Sequence, residues 1–501
     1  MVIILNNKKV SELTDKFDHI LIKGSKDVLV KDVVYDSRKA GSDNAFVCII
    51  GAVTDGHNYI KSAIDNGCKV FVIQKEIEEL PELIETTDVT VIKTDNTRIA
   101  LACMSAGIFD YPANELTTIG ITGTKGKTTT SFIIRDILKN HGSKVGIIGT
   151  TGVYMGEEFF EINNTTPESY DIHKYFRMML DKGIDTCVME VSSQAFKLDR
   201  TYGIMFDYGL FTNMSPDHIG ENEHKDYEEY VYCKSLLFKQ CKHGIFNIDD
   251  KEAENMMKSA VCDKHTYGFG EMADLNIGNV DYIVRPGFIG INFETKGVLN
   301  NSFEVNTPGK FSAYNATAAI LTASLIGVEI EDIKEALMNT FVKGRVEPVK
   351  VSDKFTLLID YAHNAMSMES LLTTIREYNP TRVVSLFGCG GNRSKLRRYE
   401  MGEISGRYAD LSIITADNSR YEDVMDIIAD IKVGMDKTAG EYVVIPDRKE
   451  AIKYSIVNAK EGDIVLLLGK GHETYQEING VKNHFDEREI IEDILKEIGW
   501  K

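Results

Sequence analysis

The chain has 501 residues, too many for one hydrophobic core, and this length predicts about three domains of roughly 150 residues each. Its residues are 43% hydrophobic and 27% charged, as in a soluble globular protein, and its formal net charge of -19 repels phosphodiester backbones. Unless a local basic patch overrides this charge, general nucleic-acid binding is excluded and the expected partners are small molecules.

No sequence feature directs the chain to a membrane or out of the cell. The short apolar run at the N-terminus lacks a preceding basic region, and no segment approaches the roughly 18 uninterrupted apolar residues that a membrane span needs. Eight cysteines are scattered without CxxC pairs, which favours reduced thiols over a disulfide framework or a zinc site. A cytoplasmic protein is expected, with neither membrane nor nucleic acid as a partner.

Strand-like runs alternate with helical patterns along the chain. The runs are KVFVIQ, VTVIK, CVMEVSS, TRVVSLFG, DLSIIT and DIVLLLGKG. Such alternation predicts an α/β protein with parallel sheets covered by helices. Proline and turn residues near 110–118 and 344–355 mark two plausible domain boundaries.

The stretch TTIGITGTKGKTTTSFIIRDILKNHG, residues 117–142, has a glycine-rich turn between a strand and an amphipathic helix that Gly142 would end. Such a turn aims backbone N–H groups at an anion, with Lys127 reaching phosphates and Thr128 offering a hydroxyl to Mg²⁺. The turn departs from the general P-loop pattern because Ile121 replaces the first glycine. A turn without a ligand is the alternative, but the lysines and hydroxyls favour a nucleoside triphosphate, ATP. The residues expected to hold it are Gly123, Thr124, Lys125, Gly126, Lys127, Thr128 and Thr129.

Acidic and basic residues lie at the end of the apolar run in CVMEVSS and after it. Glu190 ends that strand, where its carboxylate could bind the Mg²⁺ of the nucleotide or simply be solvated. Asp217, His218 and His224 then precede a helix that carries Lys234. Single histidines are more often structural than ligands, but their grouping here favours a site.

Motifs spread over most of the chain resemble those of the Mur ligase family, in the order in which that family has them. They are TGTKGKTTT, NNTTPES, MEVSSQAFKLDR, NMSPDHIG, CKSLLF, FVKGRVE, DYAHN, GCGGNRS, DNSR and GKGHETYQ. Within the family, the chain is most similar to the ligases that add the third peptide residue to UDP-N-acetylmuramoyl-L-Ala-D-Glu.

The resemblance implies an ATP-dependent ligase that joins a carboxylate to an amine through an acyl phosphate, in the synthesis of peptidoglycan precursors. It implies a uridine nucleotide-binding domain over 1–112, a central P-loop ATPase-type domain with a parallel sheet over 113–345, and a Rossmann-like domain for the amino acid over 346–501. A monomer is expected.

The resemblance also implies the catalytic groups. Lys127 and Mg²⁺ would neutralise charge, Thr128 and Glu190 would bind one metal ion, and His218 would bind a second. Lys234 matches the family lysine that CO₂ converts to a carbamate, an anion suited to Mg²⁺. A surface lysine is the alternative for that residue.

The remaining site residues likewise come from the resemblance. For the muramoyl substrate they are Ser37, Thr165, Thr166, Ser192, Gln194 and Arg200. For ATP they are Asn315, Arg345, Asp360 and His363. The proline that usually follows DYAHN is replaced by Ala365.

For the incoming diamino acid the resemblance points to Arg393, Asp417, Asn418, Arg420, Gly469 and Glu473. Relatives that use meso-diaminopimelate read D-N-P-R, and their arginine binds the distal carboxylate, whereas Ser419 replaces the proline here and frees the backbone before Arg420. A desolvated arginine would repel the cation of L-lysine, so Arg420 and Glu473 favour meso-diaminopimelate. The metal-site helix looks more like that of some lysine-adding members, which keeps L-lysine as an alternative.

Two further functions compete with this interpretation. A folylpolyglutamate-synthetase-like ligase would share the chemistry, but NTTP, EVSS and DNSR argue against it. A nucleotide-binding regulatory module without catalysis is disfavoured because Lys127, Glu190, His218 and Lys234 are all present.

Overall fold

The computed structural model describes residues 5–51, 54–76, 82, 85, 87–216, 219–220, 223–285 and 288–500. The chain divides into two compact units, Met1–Asn276 with Thr317–Ile333, and Ile277–Ala316 with Lys334–Lys501. Within the described ranges, no helix is long and apolar enough to cross a membrane. The predicted division into three domains stays a prediction.

The first unit contains two large sheets, with helices between their strands, and a small antiparallel sheet of β1 and β3. Its strands are β1 (Lys8–Lys9), β2 (Ile20–Lys23), β3 (Leu29–Val30), β4 (Asp32–Val34), β5 (Asn44–Val47), β6 (Val70–Ile73), β7 (Thr90–Lys93), β8 (Thr117–Thr122), β9 (Val145–Gly149), β10 (Gly152–Met155), β11 (Glu158–Phe160), β12 (Thr186–Glu190), β13 (Phe206–Phe211), β14 (Cys241–Asn247), β15 (Asp263–Gly268) and the start of β16 (Leu275–Arg285). Its helices are α1 (Val10–Leu13), α2 (Ile60–Asp65), α3 (Thr97–Ile108), α4 (Lys127–Asn140), α5 (Ser169–Asp181), α6 (Ser193–Lys197), α7 (Tyr227–Ser235) and α8 (Ala253–Lys258).

Parallel strands dominate the two large sheets of this unit. The smaller sheet has the order β2-β7-β6-β5-β4, with only the edge strand β2 antiparallel to its neighbour. In the larger sheet the parallel order β9-β12-β8-β13-β14-β15 places β8 between β12 and β13. Because carboxyl ends of parallel strands share one sheet edge, the residues after β9, β12, β8 and β13 are brought together.

The second unit has its own parallel sheet. Two helices, α9 (Phe311–Ile326) and α10 (Ile330–Asn339), begin in one unit and end in the other. The further elements are β17 (Phe288–Gly297), β18 (Asn301–Val305), β19 (Glu347–Val349), β20 (Thr356–Asp360), α11 (Ala365–Arg376), β21 (Arg382–Phe387), α12 (Lys395–Tyr408), β22 (Leu411–Ile414), α13 (Val424–Met435), β23 (Glu441–Val444), α14 (Arg448–Val457), β24 (Asp463–Leu468), β25 (Tyr475–Ile478), β26 (Val481–His484) and α15 (Glu487–Glu497). The sheet order is β19-β20-β24-β21-β22-β23, parallel except for β19.

The predicted fold class is confirmed. Every strand-like run singled out in the sequence contains a strand, namely β6, β7, β12, β21, β22 and β24. All residues of β24 are buried, as expected of an apolar strand covered on both faces. The predicted helix after the glycine-rich turn is α4, which buries its apolar residues and is followed by Gly142 at a φ of +100°.

Candidate active site

The glycine-rich turn joins β8 to α4 and requires glycine at two positions. Gly123 has a φ of +147°, and a Cβ there would lie 2.0 Å from Thr212 Oγ1. Gly126, at the start of α4, has a φ of +85°. Both conformations are left-handed or close to it, so a side chain would strain the turn. The turn therefore keeps its backbone close to the neighbouring strand and leads directly into the helix N-terminus.

Residues after β13 brace this turn. The backbone N–H of Thr124 donates to the Asn213 carbonyl at 2.9 Å, and the N–H of Lys125 donates to Asn213 Oδ1 at 2.9 Å. Asn213 Nδ2 and Thr212 Oγ1 both donate to the Lys125 carbonyl, at 2.9 and 2.7 Å. These four hydrogen bonds hold the turn against the residues that follow β13. Sequence reasoning missed Asn213, although its place after a strand next to β8 is the signal that could have found it.

Two predicted catalytic lysines meet at the turn. Lys127 Nζ donates to the Gly123 carbonyl at 2.9 Å and to the Thr124 carbonyl at 3.2 Å. Lys234 Nζ, which is buried, donates to the same Gly123 carbonyl at 2.9 Å and lies 4.7 Å from the centre of the Tyr230 ring. The structure therefore brings residues 127 and 234 together on one acceptor atom.

Glu190 lies beside the first turn of α4 because β12 pairs with β8. It is fully buried, and its Oε1 accepts from Thr128 Oγ1 at 2.9 Å and from the Thr150 N–H at 3.1 Å. Its Oε2 accepts from Thr150 Oγ1 at 3.0 Å. A hydroxyl and a carboxylate are hard oxygen donors, so this pair fits Mg²⁺. Thr150, which follows β9, was not predicted.

Three predicted substrate residues surround the end of the same strand. Thr166 Oγ1 donates to the Glu190 carbonyl at 2.9 Å and accepts from the Ser192 N–H at 2.9 Å. Thr165 Oγ1 lies 3.0 Å from Thr150 Oγ1. Ser192 caps α6 by accepting from the Ala195 N–H at 3.2 Å. The hydroxyl groups thus form one polar cluster next to Glu190.

A carboxylate holds Arg200 at the edge of this cluster. Glu168 accepts from Arg200 Nε at 3.0 Å and from Arg98 Nη1 at 3.1 Å. Arg200 Nη1 also donates to the Thr166 carbonyl at 2.9 Å. Gln194 Nε2 is buried and makes no hydrogen bond to a described residue. Glu168 was not predicted as a site residue, although it stands in the NNTTPES motif.

The histidine region is only partly described. Asp217 and His218 lie outside the described residues. His224 is buried, its Nε2 lies 2.8 Å from Ser193 Oγ, and burial lowers the pKa of its imidazole. In the part of the chain that the structure describes, no three His, Cys, Asp or Glu side chains cluster as a metal site.

Ser37 and Arg38 form a separate feature of the first unit. Ser37 begins a 3-10 turn, Ser37–Lys39, and its carbonyl accepts from Asn66 Nδ2 at 3.4 Å. Arg38 pairs with Asp36 at 2.7 Å. Among the described residues, Ser37 has no hydrogen bond to the cluster around Glu190, so its predicted role in uridine binding stays a prediction.

In the second unit, predicted residues gather at the carboxyl ends of parallel strands. Asp360 ends β20 and is buried, and its two oxygens accept from the N–H groups of Val346 and Ala362 at 2.8 and 2.7 Å. Burial raises the pKa of the Asp360 carboxyl. Gly469, directly after β24, donates its N–H to the Asp360 carbonyl at 3.0 Å and has a φ of +105°. A Cβ at position 469 would lie 2.7 Å from Asp417 Oδ2.

A buried lysine connects three of the predicted amino-acid contacts. Lys470 is fully buried, and its Nζ lies 3.0 Å from Glu473 Oε2, 3.0 Å from Asn418 Oδ1 and 3.5 Å from Asp417 Oδ1. Asn418 Nδ2 also donates to Glu473 Oε2 at 3.0 Å. Lys470 was not among the predicted site residues, although it stands in the GKGHETYQ motif.

Arg420 is held by an acidic partner that the sequence reasoning did not identify. Its Nε donates to Glu477 Oε2 at 3.2 Å, and its Nη1 donates to the Gly391 carbonyl at 2.7 Å. The predicted residue Arg393 is exposed on the loop that precedes α12.

Two of the predicted ATP contacts of the second unit, Arg345 and His363, lie next to Tyr361, which directly follows β20. The Arg345 guanidinium is 5.3 Å from the centre of the Tyr361 ring, and His363 Nδ1 is 2.8 Å from the Tyr361 carbonyl. Asn315 is half-buried on α9. A nucleotide-contact role for these residues stays a prediction.

The fold and the P-loop cluster define a P-loop enzyme built on parallel α/β sheets. Three family models match the chain: the Mur ligase family catalytic domain over residues 30–108, the Mur ligase middle domain over 121–323, and the Mur ligase glutamate ligase domain over 344–471.

Similar proteins cover nearly the whole chain. A UDP-N-acetylmuramoyl-L-alanyl-D-glutamate--2,6-diaminopimelate ligase from Clostridium botulinum is 41% identical, over 96% of this chain and 98% of its own length. A ligase of the same name from Caldanaerobacter subterraneus is 40% identical, over 95% and 97% of the two chains. A solved structure of a ligase with this name matches with a TM-score of 0.74 at 25% identity, over 99% of this chain and 100% of the other. The chain belongs to the Mur ligase family and is an ATP-dependent ligase.

Proposed function

We propose that this ligase adds meso-diaminopimelate to the D-Glu carboxylate of UDP-N-acetylmuramoyl-L-Ala-D-Glu, in the cytoplasmic synthesis of peptidoglycan precursors. The observation that carries the proposal is the cluster of Lys127, Thr128 and Glu190 at the P-loop of a Mur ligase. A carboxylate cannot expel oxide when an amine attacks it, so it must first be phosphorylated. The site must therefore hold a substrate carboxylate against the γ-phosphate of ATP.

The chain has groups suited to that task. Lys127 and the N-terminus of α4 supply positive charge to phosphates. Thr128 and Glu190 would hold Mg²⁺, which supplies charge neutralisation when bound. Thr165, Thr166, Ser192 and Arg200 would hold the muramoyl peptide through hydroxyl and guanidinium donors.

A carbamate on Lys234 completes the proposed site. Two ammonium groups that donate to one carbonyl repel each other, as Lys127 and Lys234 do at Gly123. Carbamate formation replaces this repulsion with attraction and gives an oxygen ligand for a hard cation. The burial of Lys234 also supports a role other than that of a solvated surface lysine.

The choice of amino acid is inferred from charge. Arg420 would bind the distal carboxylate of meso-diaminopimelate, which L-lysine lacks, and Glu473 would accept from the distal ammonium. Relatives that cover the chain almost completely are named 2,6-diaminopimelate ligases, which supports the same choice.

The test is phosphate release from ATP with each substrate omitted in turn. We expect release only when UDP-N-acetylmuramoyl-L-Ala-D-Glu and meso-diaminopimelate are both present. Equal turnover without the muramoyl nucleotide would contradict the ligase reaction. Preference for L-lysine would contradict only the choice of amino acid.

A further inference from the structure

The backbone of Arg420 is held in an unusual conformation by a hairpin. Its φ is +51°, in the left-handed region that residues other than glycine rarely adopt. The Arg420 N–H donates to the Glu477 carbonyl at 3.0 Å, and the Asn479 N–H donates to the Arg420 carbonyl at 2.5 Å. Glu477 lies in β25, which forms the hairpin with β26. The hairpin therefore fixes the backbone position and conformation from which the Arg420 side chain extends.

The Arg420 side chain is fixed at two of its three nitrogens. Glu477 accepts from Nε at 3.2 Å and the Gly391 carbonyl accepts from Nη1 at 2.7 Å. Within the described ranges, Nη2 makes no hydrogen bond to another residue. Because a guanidinium is planar and its donors diverge in a fixed fork, two anchored nitrogens decide where the third points.

We propose that Glu477 is a positioning residue that selects for an amino acid with a distal carboxylate, by holding Arg420 with Nη2 directed to that carboxylate. This inference rests on the proposed function. Arginine has high side-chain entropy, and a partner that orders it in advance lowers the entropy lost on binding. Ser419 does not restrict the preceding backbone as a proline would, so the hairpin and Glu477 provide the restraint instead.

Glu477 could instead weaken binding, because its own negative charge repels a nearby carboxylate. Both side chains of the pair are partly exposed, with 24% and 23% of their surfaces accessible, so water screens this repulsion. The hydrogen bond from Arg420 Nε to Glu477 still sets the direction of the guanidinium, because its donors diverge in a fixed fork. Orientation is therefore expected to outweigh repulsion.

Two variants separate these effects. Glu477→Ala removes the acceptor, whereas Glu477→Gln keeps an acceptor oxygen and removes the charge. We expect Glu477→Ala to raise KM for meso-diaminopimelate about tenfold and Glu477→Gln to restore most of this loss. For both variants, kcat and the KM for L-lysine should stay within about twofold of the unmodified values.

Glu489→Gln is the matched control, because Glu489 pairs with His484 on the same hairpin at 2.6 Å in an exposed position. We expect it to leave every constant unchanged. A KM for meso-diaminopimelate that falls in both Glu477 variants, rises equally in both, or changes in neither would overturn the positioning role. An equal rise in the control would also overturn it.

The amino-acid preference of the unmodified enzyme is measured first. If that enzyme prefers L-lysine, the proposed function is wrong and this inference falls with it. If it prefers meso-diaminopimelate while Glu477→Ala keeps its KM, only the inference is wrong. Thermal denaturation of each variant identifies a KM change that comes from misfolding. Glu477→Asp keeps the charge on a shorter side chain. If orientation is the cause, we expect its KM for meso-diaminopimelate to lie between those of Glu477→Ala and the unmodified enzyme.

Discussion

Thr128 Oγ1 donates a 2.9 Å hydrogen bond to Glu190 Oε1, although Thr128 lies in the first turn of α4 and Glu190 ends β12, 62 residues later. The bond exists because β12 pairs with β8, with Glu190 opposite Ile121. It places a hydroxyl and a buried carboxylate at the end of the P-loop, where a Mg²⁺ ion bound to nucleotide needs oxygen ligands.

Glu190→Gln tests this pair directly. The substitution keeps the size of the side chain but removes the charge that would hold Mg²⁺, so we expect phosphate release to fall by about a hundredfold or more. The measurement is the rate as a function of Mg²⁺ concentration. Glu158→Gln, at an exposed position in β11, is the control and should keep full activity. A Glu190→Gln rate within about tenfold of the unmodified rate would contradict metal binding by this carboxylate.

The proposed carbamate on Lys234 gives a second prediction. Lys234→Ala should lose most activity, and acetate should restore part of it by occupying the position of the missing carboxylate. Lys239→Ala, at an exposed position after α7, should remain active and unaffected by acetate. Carbon-13 NMR of active enzyme supplied with labelled bicarbonate should show a carbamate signal that Lys234→Ala lacks. Full activity with an unmodified amine would show that the carbamate is not required.

Arg420→Ala tests the choice of amino acid. Removing the guanidinium should lower kcat/KM for meso-diaminopimelate by about a hundredfold, since a charge-assisted contact to the distal carboxylate is lost. The values for L-lysine and L-ornithine should change far less, because these substrates have no distal carboxylate. The experiment compares kcat/KM for the three amino acids before and after the substitution. An unchanged preference would refute the role of Arg420.

The buried His173 predicts a pH dependence of stability. It lies in α5, neither ring nitrogen has a hydrogen-bond partner among the described residues, and burial lowers its pKa from 6.5 to about 4. The folded protein thus favours the neutral ring. The contribution of His173 to the free energy of unfolding is therefore complete above pH 6.5 and is lost as the pH falls towards 4. The loss amounts to about 3 kcal/mol.

His173→Leu should remove this part of the acid sensitivity. The urea midpoints of the unmodified protein and of His173→Leu are compared at neutral pH and near pH 4, the lowered pKa of His173. The difference between the two proteins should grow as the pH falls, in favour of the leucine variant. If the urea midpoints of the two proteins instead change in parallel with pH, the burial of His173 does not cause the acid sensitivity.

Local sequence determined the elements and part of the site. Strand-like runs such as DIVLLLGKG have a continuous apolar centre. Such a centre is sufficient to predict a parallel strand that is buried on both faces. The turn at Gly123 and Gly126 was likewise predictable from the sequence. Glycines between a strand and an amphipathic helix that begins with Lys127 and Thr128 direct backbone N–H groups to an anion.

Tertiary structure alone decided which side chains meet. Thr150 reaches Glu190, and Asn213 reaches the P-loop, because β9, β12, β8 and β13 are neighbours in the sheet, an order that no local pattern encodes. Glu477 reaches Arg420 through the hairpin, and Lys470 reaches Asn418 from the end of β24, over similarly long separations in sequence. Strand order and register depend on the packing of whole elements against each other, whereas propensity and periodicity act only over neighbouring residues.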